Sequence, residues 1–167
     1  ELWQAMISPL QALSEQLGFS LRILDLGGGL GIPYSQTENS LAWQQLVDAL
    51  DGIKRSVGCQ ELWMELGRYA VGEAGFYANP VIEQKQNYGA NQLIVAGGIN
   101  HILRPAVTNQ PFPAELLRES TTASKNYLVH GPLCTALDSL GSFELAADID
   151  ETDWLMFSQC GAYGFTE

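Results

Sequence analysis

Leu21-Arg22-Ile23-Leu24-Asp25-Leu26-Gly27-Gly28-Gly29-Leu30-Gly31 is the stretch on which the fold turns. Its first six residues are mostly apolar and too short a run for a helix, which makes them a short buried strand. Three consecutive glycines end that strand and open a loop. Upstream, Leu2, Trp3, Met6, Leu10, Leu13 and Leu17 fall on one helical face over residues 1–18, with Pro9 kinking or limiting the helix. Downstream, Leu46, Val47, Leu50 and Ile53 recur at helical spacing between about Leu41 and Val57, and Glu61 to Tyr69 reads as another strand. Helix, strand, glycine loop, helix, strand is the alternation of a parallel sheet or barrel.

After about Val71 the texture changes. Ala74–Gln84, Asn91–Ala96, Tyr127–His130, Phe143–Ala147 and Leu155–Gln159 are short extended stretches separated by turn residues. Few helical periods intervene, which predicts a mostly antiparallel β domain. Ile99 to Glu119 carries Pro105, Pro111 and Pro113, and is expected to be irregular with one helical turn near Glu115. The fold class is therefore α/β followed by all-β.

Bulk properties narrow the function. An apolar fraction of 46% against 16% charged describes a soluble globular protein, with no apolar run of membrane-spanning length. Eight basic against nineteen acidic side chains leave a net charge of −11, which repels phosphate backbones and excludes nucleic acid as a partner. Cys59, Cys134 and Cys160 are odd in number and form no CxxC, so neither a disulfide framework nor a structural zinc is expected. A reducing, cytoplasmic setting follows as the default. The chain opens on Glu1 rather than Met, which reads as a piece of something longer.

Taken singly, the polar motifs are ambiguous. Gly27, Gly28 and Gly29 leave backbone amides free to turn toward an anion, but such a run is also a common turn. Ile32 stands where a G-x-G-x-x-G pattern needs glycine, and no Gly-Lys-Ser/Thr follows, so dinucleotide and P-loop sites are excluded. Glu65 and Arg68, three apart, read alone as a solvated ion pair. Cys134 alone reads as a small buried hydrophobe, and Tyr163 as a core aromatic with a wet tip. His101 and His130 match no role.

Read in order, four motifs remove that ambiguity: Gly27-Gly28-Gly29-Leu30-Gly31, Glu65-Leu66-Gly67-Arg68-Tyr69, Gly131-Pro132-Leu133-Cys134 with Asp138, and Gly161-Ala162-Tyr163-Gly164. Together they resemble the pyridoxal-phosphate amino-acid decarboxylases of the alanine-racemase-like fold type, which act on ornithine, arginine or diaminopimelate. The resemblance covers Leu21 to Glu167. It implies that residues 1–72 are the last βα units of a cofactor-binding (β/α)8 barrel and 73–167 an incomplete C-terminal β domain. A whole barrel needs about 250 residues. The lysine that carries the cofactor lies early in such a barrel and has no counterpart here, so the chain alone is expected to bind pyridoxal phosphate weakly and not to turn over.

The same resemblance implies roles. Gly27, Gly28 and Gly29 form part of the cofactor site. Glu65 faces the pyridine nitrogen, Gly67 and Arg68 help hold the phosphate, and the Tyr163 hydroxyl reaches that phosphate. Leu66 stands in place of the family's proline. Cys134 is the proton donor to the carbon that loses CO2, on a loop that crosses a homodimer interface into the partner's site. Arg104 resembles the arginine that holds a distal carboxylate, and Thr135 and Asp138 belong to the substrate side.

Two departures bear on substrate. Thr135 replaces the acidic residue that holds a distal amine, and Thr108 replaces the tyrosine four positions after the arginine. A retained carboxylate binder and a lost amine binder point to an acidic or N-acylated substrate. Gly-Pro-Leu-Cys-Thr resembles two subgroups, one handling citrate-linked diamino acids in siderophore assembly and one handling carrier-bound amino acids. Gly97–His101 with Arg104-Pro105 is closer to the first. The alternatives are a diaminopimelate decarboxylase, or a non-catalytic relative acting as an interaction module. The retained motifs argue against the latter.

Overall fold

The computed structural model describes residues 2–35 and 38–166, and the expected place of the Leu2 side chain on the helical face lies outside that description. The chain folds as two units, Glu1–Gly31 with Asn39–Gly67, and Ile32–Glu38 with Arg68–Glu167.

In the first unit, helix α1 (Leu2–Leu17), strand β1 (Ile23–Asp25), helix α2 (Trp43–Val57) and strand β2 (Glu61–Trp63) follow in chain order. β1 and β2 are parallel, with Ile23 opposite Glu61 and Asp25 opposite Trp63. Ile7, Leu24, Ile53 and Cys59 form the buried core, with Trp3, Leu10, Leu26, Val57 and Leu62 packed on it. Pro9 does not end α1. Ile7 before it and Ser14 after it are both buried, so packing of that face holds the helix together across the missing N–H. α2 closes on Gly58 in the left-handed region, whose amide donates to the Lys54 carbonyl at 3.0 Å. The strand expected over 61–69 stops at Trp63, because its partner β1 runs out into the glycine turn.

Helix α3 (Gly67–Val71) takes up the end of the expected strand, and from Arg68 onward the chain belongs to the second unit. Strands β3 (Tyr77–Asn87), β4 (Ala90–Val95), β5 (Ala114–Leu116), β6 (Ser124–His130), β7 (Ser139–Ala146) and β8 (Trp154–Phe157) form one sheet in the order β5-β8-β3-β4-β6-β7. Every neighbouring pair is antiparallel except β4 with β6, so the sheet is mixed. The edge strands β5 and β7 come back beside one another, and the sheet nearly closes. Tyr77 to Pro80 pair with β8, and Val81 to Asn87 pair with β4. Pro80, which has no N–H, sits at the handover, beside a register shift between Val81 and Glu83. Tyr88 and Gly89, at φ 48° and 81°, make the two-residue turn from β3 to β4.

Val81, Leu93, Val95, Phe112, Tyr127, Val129, Leu140, Leu155 and Phe157 are essentially solvent-free and form the core of this unit. The stretch expected to be irregular, 99–119, contains helix α4 (Arg104–Thr108) and strand β5. The helical turn lies at Arg104, not near Glu115, because Pro105 begins a helix rather than breaking one. Among the described residues no helix is long and apolar enough to cross a membrane, and no cluster of metal-ligating side chains forms.

Candidate active site

The glycine turn lies where β1 ends. Gly27 and Gly29 have φ of 67° and 101°, and the Gly27 amide donates to Asp25 Oδ1 at 2.8 Å. Gly28 lies so close to the next strand that a Cβ there would sit 2.6 Å from the Glu65 carbonyl oxygen. The Glu65 amide donates to the Gly27 carbonyl at 2.9 Å, and Leu26 donates to Trp63 at 3.0 Å. Gly27–Gly29 and Glu65 therefore share the carboxyl end of the parallel pair, where parallel sheets place their ligands. The Glu65 side chain and Gly67 are exposed.

A second group of expected residues converges within the second unit. Arg68, on α3, is half-buried, and its Nε is buried without a hydrogen-bond partner. Its guanidinium carbon lies 4.9 Å from the Tyr163 ring centre. Tyr163 reaches that place from a tight turn, at φ 59°, and is 44% exposed. The turn is pressed on the backbone after α3: Cys160 donates to the Gly75 carbonyl at 2.9 Å, and Gly161 donates to Gly72 at 3.0 Å. A Cβ on Gly161 would lie 1.8 Å from the Val71 carbonyl oxygen, so only glycine permits that approach.

Arg104 is only 4% exposed. Its Nη2 donates to Gln110 Oε1, while Nη1 is buried without a partner. The guanidinium stacks on Tyr34 and Phe112, at 4.8 and 5.9 Å. Arg68 lies 5.9 Å from the same Tyr34 ring. Sequence reasoning missed both Tyr34 and Gln110. Tyr34 follows Ile32-Pro33 and reads as apolar connector, and the only cue was an aromatic set just beyond a glycine loop.

Cys134, Thr135 and Asp138 lie in the β6–β7 loop. Cys134 is exposed. The Thr135 hydroxyl accepts from the Leu137 amide at 3.3 Å, inside the loop itself. Asp138, expected on the substrate side, is 2% exposed. Its Oδ1 accepts from the Ile99 amide and its Oδ2 from the Leu133 amide, both at 2.8 Å. Both oxygens are thus occupied, and Asp138 ties the Cys134 loop to the stretch beginning at Gly97. That stretch is held in turn by Asn79, which exchanges two hydrogen bonds with the Gly97 backbone, at 2.8 and 3.0 Å.

The other thiols are shielded. Cys59 is 5% exposed, and burial pushes the Cys160 thiol up to about 12. Beside Cys160 lies a cavity of about 380 Å3, also lined by Tyr77, His101, Ile102 and Phe165. The Tyr77 hydroxyl and His101 Nδ1 are 2.7 Å apart. Burial, and then the charges of Cys160 and Asp138, raise the Tyr77 phenol above its ordinary value and keep it protonated. His101, to which the sequence assigned no role, thus has a polar partner.

Comparison with known proteins gives a consistent answer. Residues 21–161 match the family model described as "Pyridoxal-dependent decarboxylase, C-terminal sheet domain". The chain is 29% identical over 168 residues to the diaminopimelate decarboxylase of Aquifex aeolicus, covering 99% of this chain and 39% of that protein. It is 27% identical over 167 residues to the 2-[(L-alanin-3-ylcarbamoyl)methyl]-2-hydroxybutanedioate decarboxylase of Staphylococcus aureus, covering 93% of this chain and 42% of that protein. A crystal structure from Aquifex aeolicus superposes with a TM-score of 0.86 at 28% identity, covering 99% of this chain and 41% of the other. The chain thus spans about two fifths of the length of its relatives.

Proposed function

The chain belongs to the pyridoxal-dependent decarboxylases, and from that membership we propose that its protein removes the α-carboxylate of an N-acylated diamino acid bearing further carboxylates. Citrate-linked diamino acids are the substrate class in view. The observation that carries this reading is Arg104, a buried guanidinium held by a neutral amide with Nη1 left unpartnered. Such a group suits a carboxylate. Thr135, next to Cys134, offers no charge to an ammonium. The Staphylococcus aureus relative supports the reading, since its name describes a hydroxybutanedioate joined through an amide to an alanine unit.

The residues fit a pyridoxal phosphate. An anionic cofactor needs donors without acceptors, and the Arg68 Nε is one. The backbone at Gly28 leaves no room for a Cβ, as a turn pressed against its neighbour requires. In this reading Arg68 and Tyr163, which converge within the second unit, bind the phosphate, while Gly27–Gly29, Gly67 and Glu65 keep the cofactor roles that the family resemblance gives them, Glu65 as the partner of the ring nitrogen. When bound, the cofactor supplies the sink for the electron pair released with CO2. Cys134 then holds the proton that replaces the lost carboxylate. Asp138 positions the Cys134 loop through the Leu133 amide.

Residues 1–72 stand in this proposal for the last βα units of the barrel, with the cofactor's lysine on polypeptide outside this chain. The working protein is a homodimer whose loops complete one another's sites, in a reducing, cytoplasmic setting that suits three free cysteines. A second reading, diaminopimelate decarboxylation, is favoured by the Aquifex aeolicus relative. It differs in leaving a free distal ammonium near Arg104 and Thr135.

CO2 release by the longer protein, assayed with a citryl-diaminopropionate and with diaminopimelate, decides between the two. A kcat/KM at least about tenfold higher for the citryl substrate supports the first reading. The reverse ratio replaces it with the second.

A further inference from the structure

Among the described residues, buried side-chain polar atoms without a hydrogen-bond partner are Tyr34 Oη, Arg68 Nε, Arg104 Nη1 and Gln159 Oε1. Buried polar groups are normally satisfied, so several orphans in one unit call for an explanation. One of them is on the Tyr34 ring, and two belong to arginines whose guanidinium groups lie near that ring. The Arg104 guanidinium carbon lies 4.8 Å from the centre of the Tyr34 ring, and that of Arg68 lies 5.9 Å away. Tyr34 is 7% exposed and Arg104 is 4% exposed. The arginine nitrogens can only donate, and a phenol donates readily, so the missing partner is an acceptor.

The surroundings fix the donors in place. The Tyr34 amide donates to Glu38 Oε2 at 2.9 Å, and the ring leans on Phe112 with centroids 6.0 Å apart. Gln110 holds Arg104 through Nη2 and so leaves Nη1 as the open donor. A cavity of about 310 Å3, lined by Tyr34, Glu38 and Gln159 among others and not by Arg104, borders Tyr34. The Glu38 carboxylate on its wall already accepts the Tyr34 amide.

We propose that Tyr34 is a specificity-determining residue whose hydroxyl, together with Arg104 Nη1, takes the two oxygens of one carboxylate at the far end of the substrate. The inference rests on the reading of Arg104 above and adds the second donor. One guanidinium and one phenol supply one positive charge and two hydrogen bonds, which match a carboxylate. A distal ammonium there meets Arg104 and an O–H donor, and is rejected. Arg68, which lies nearer the Tyr163 ring, at 4.9 Å, than the Tyr34 ring, at 5.9 Å, is left for the cofactor's phosphate.

The longer protein can be tested, labelled with 15N-arginine and with 13C at tyrosine Cζ, and titrated with glutarate, cadaverine or inorganic phosphate. Glutarate is expected to move the Arg104 side-chain and Tyr34 Cζ resonances together. Tyr34→Phe is expected to weaken the Arg104 response about tenfold. Phosphate is expected to move Arg68 without moving Tyr34. An Arg104 response to glutarate with a static Tyr34 Cζ, or one unchanged in Tyr34→Phe, overturns the role of Tyr34 and leaves that of Arg104 standing. A response of both residues to cadaverine instead overturns the acidic-substrate reading itself. A Tyr34 that moves only with phosphate, or with none of the probes, overturns the proposal. The Cζ signal of the unsubstituted chain decides the matter even if Tyr34→Phe does not fold.

Discussion

Cys134 is an exposed thiol, whereas Cys59 is 5% exposed and burial pushes Cys160 up to about 12. Reactivity follows thiolate content and access. Iodoacetamide at about pH 8 should therefore alkylate Cys134 ahead of the other two. Peptide mass spectrometry checks this, and Cys134→Ser should abolish the fast phase. Asp138 carries a different prediction. Its two oxygens each accept a backbone amide at 2.8 Å in a site that is 2% exposed. Asp138→Ala leaves both donors unmet and should cost about 2–4 kcal/mol, read from urea unfolding. Faster amide exchange at Ile99 and Leu133 should accompany the loss. The sequence placed Asp138 on the substrate side, whereas both its oxygens accept backbone amides, because a carboxylate near a cysteine looks the same whether it faces ligand or backbone. Tyr34 escaped notice for the opposite reason. Nothing local marks an aromatic whose importance comes from two arginines distant in the chain.

At the scale of elements, Pro9 and Gly161 are the informative positions. Pro9 lies inside α1 and removes a donor from its ladder. Pro9→Ala should restore that bond and stabilise the helix by about 1–3 kcal/mol, visible as a higher midpoint of thermal unfolding. Gly161 is the reverse case. A methyl group there meets the Val71 carbonyl at 1.8 Å, and a backbone oxygen cannot swing away as a side chain can. Gly161→Ala should destabilise by about 2–4 kcal/mol and shift the Arg68 and Tyr163 resonances as their stacking is lost. The β-α-β order and most strands of the second unit were legible, since burial on one or both faces writes itself into the spacing of apolar residues. α4 was hidden by its own prolines. The end of β2 depends on where its neighbour stops, which no local pattern records.

Across the whole molecule, the polar tie with the clearest pH signature joins the segment after β5 to the β7–β8 connection. Arg118 donates to both oxygens of Asp153, at 2.6 and 2.8 Å, and to Asp148 at 3.2 Å. Hydrogen bonds from Ser120 and Thr122, and then Arg118, hold the Asp148 carboxyl down at about 2. Because the folded value lies below the unfolded one, near 3.8, this contribution is present above pH 4 and is lost as pH falls toward 2. The urea midpoint should therefore drop between about pH 4 and pH 2. Asp148→Asn should flatten that drop, which separates it from the general relief of a net charge of −11. The amino-acid order alone determined the class of the molecule, a parallel β-α-β segment leading into a mostly antiparallel sheet, and which glycines, acids and cysteine to examine. These are properties of spacing and residue type. Only the tertiary structure decided that Asp138 clamps a loop, that burial pushes the Cys160 thiol up, and that Tyr34 lies beside both Arg68 and Arg104. Burial and partner choice are set by residues far apart in sequence, and they exist only once the sheet has brought those residues together.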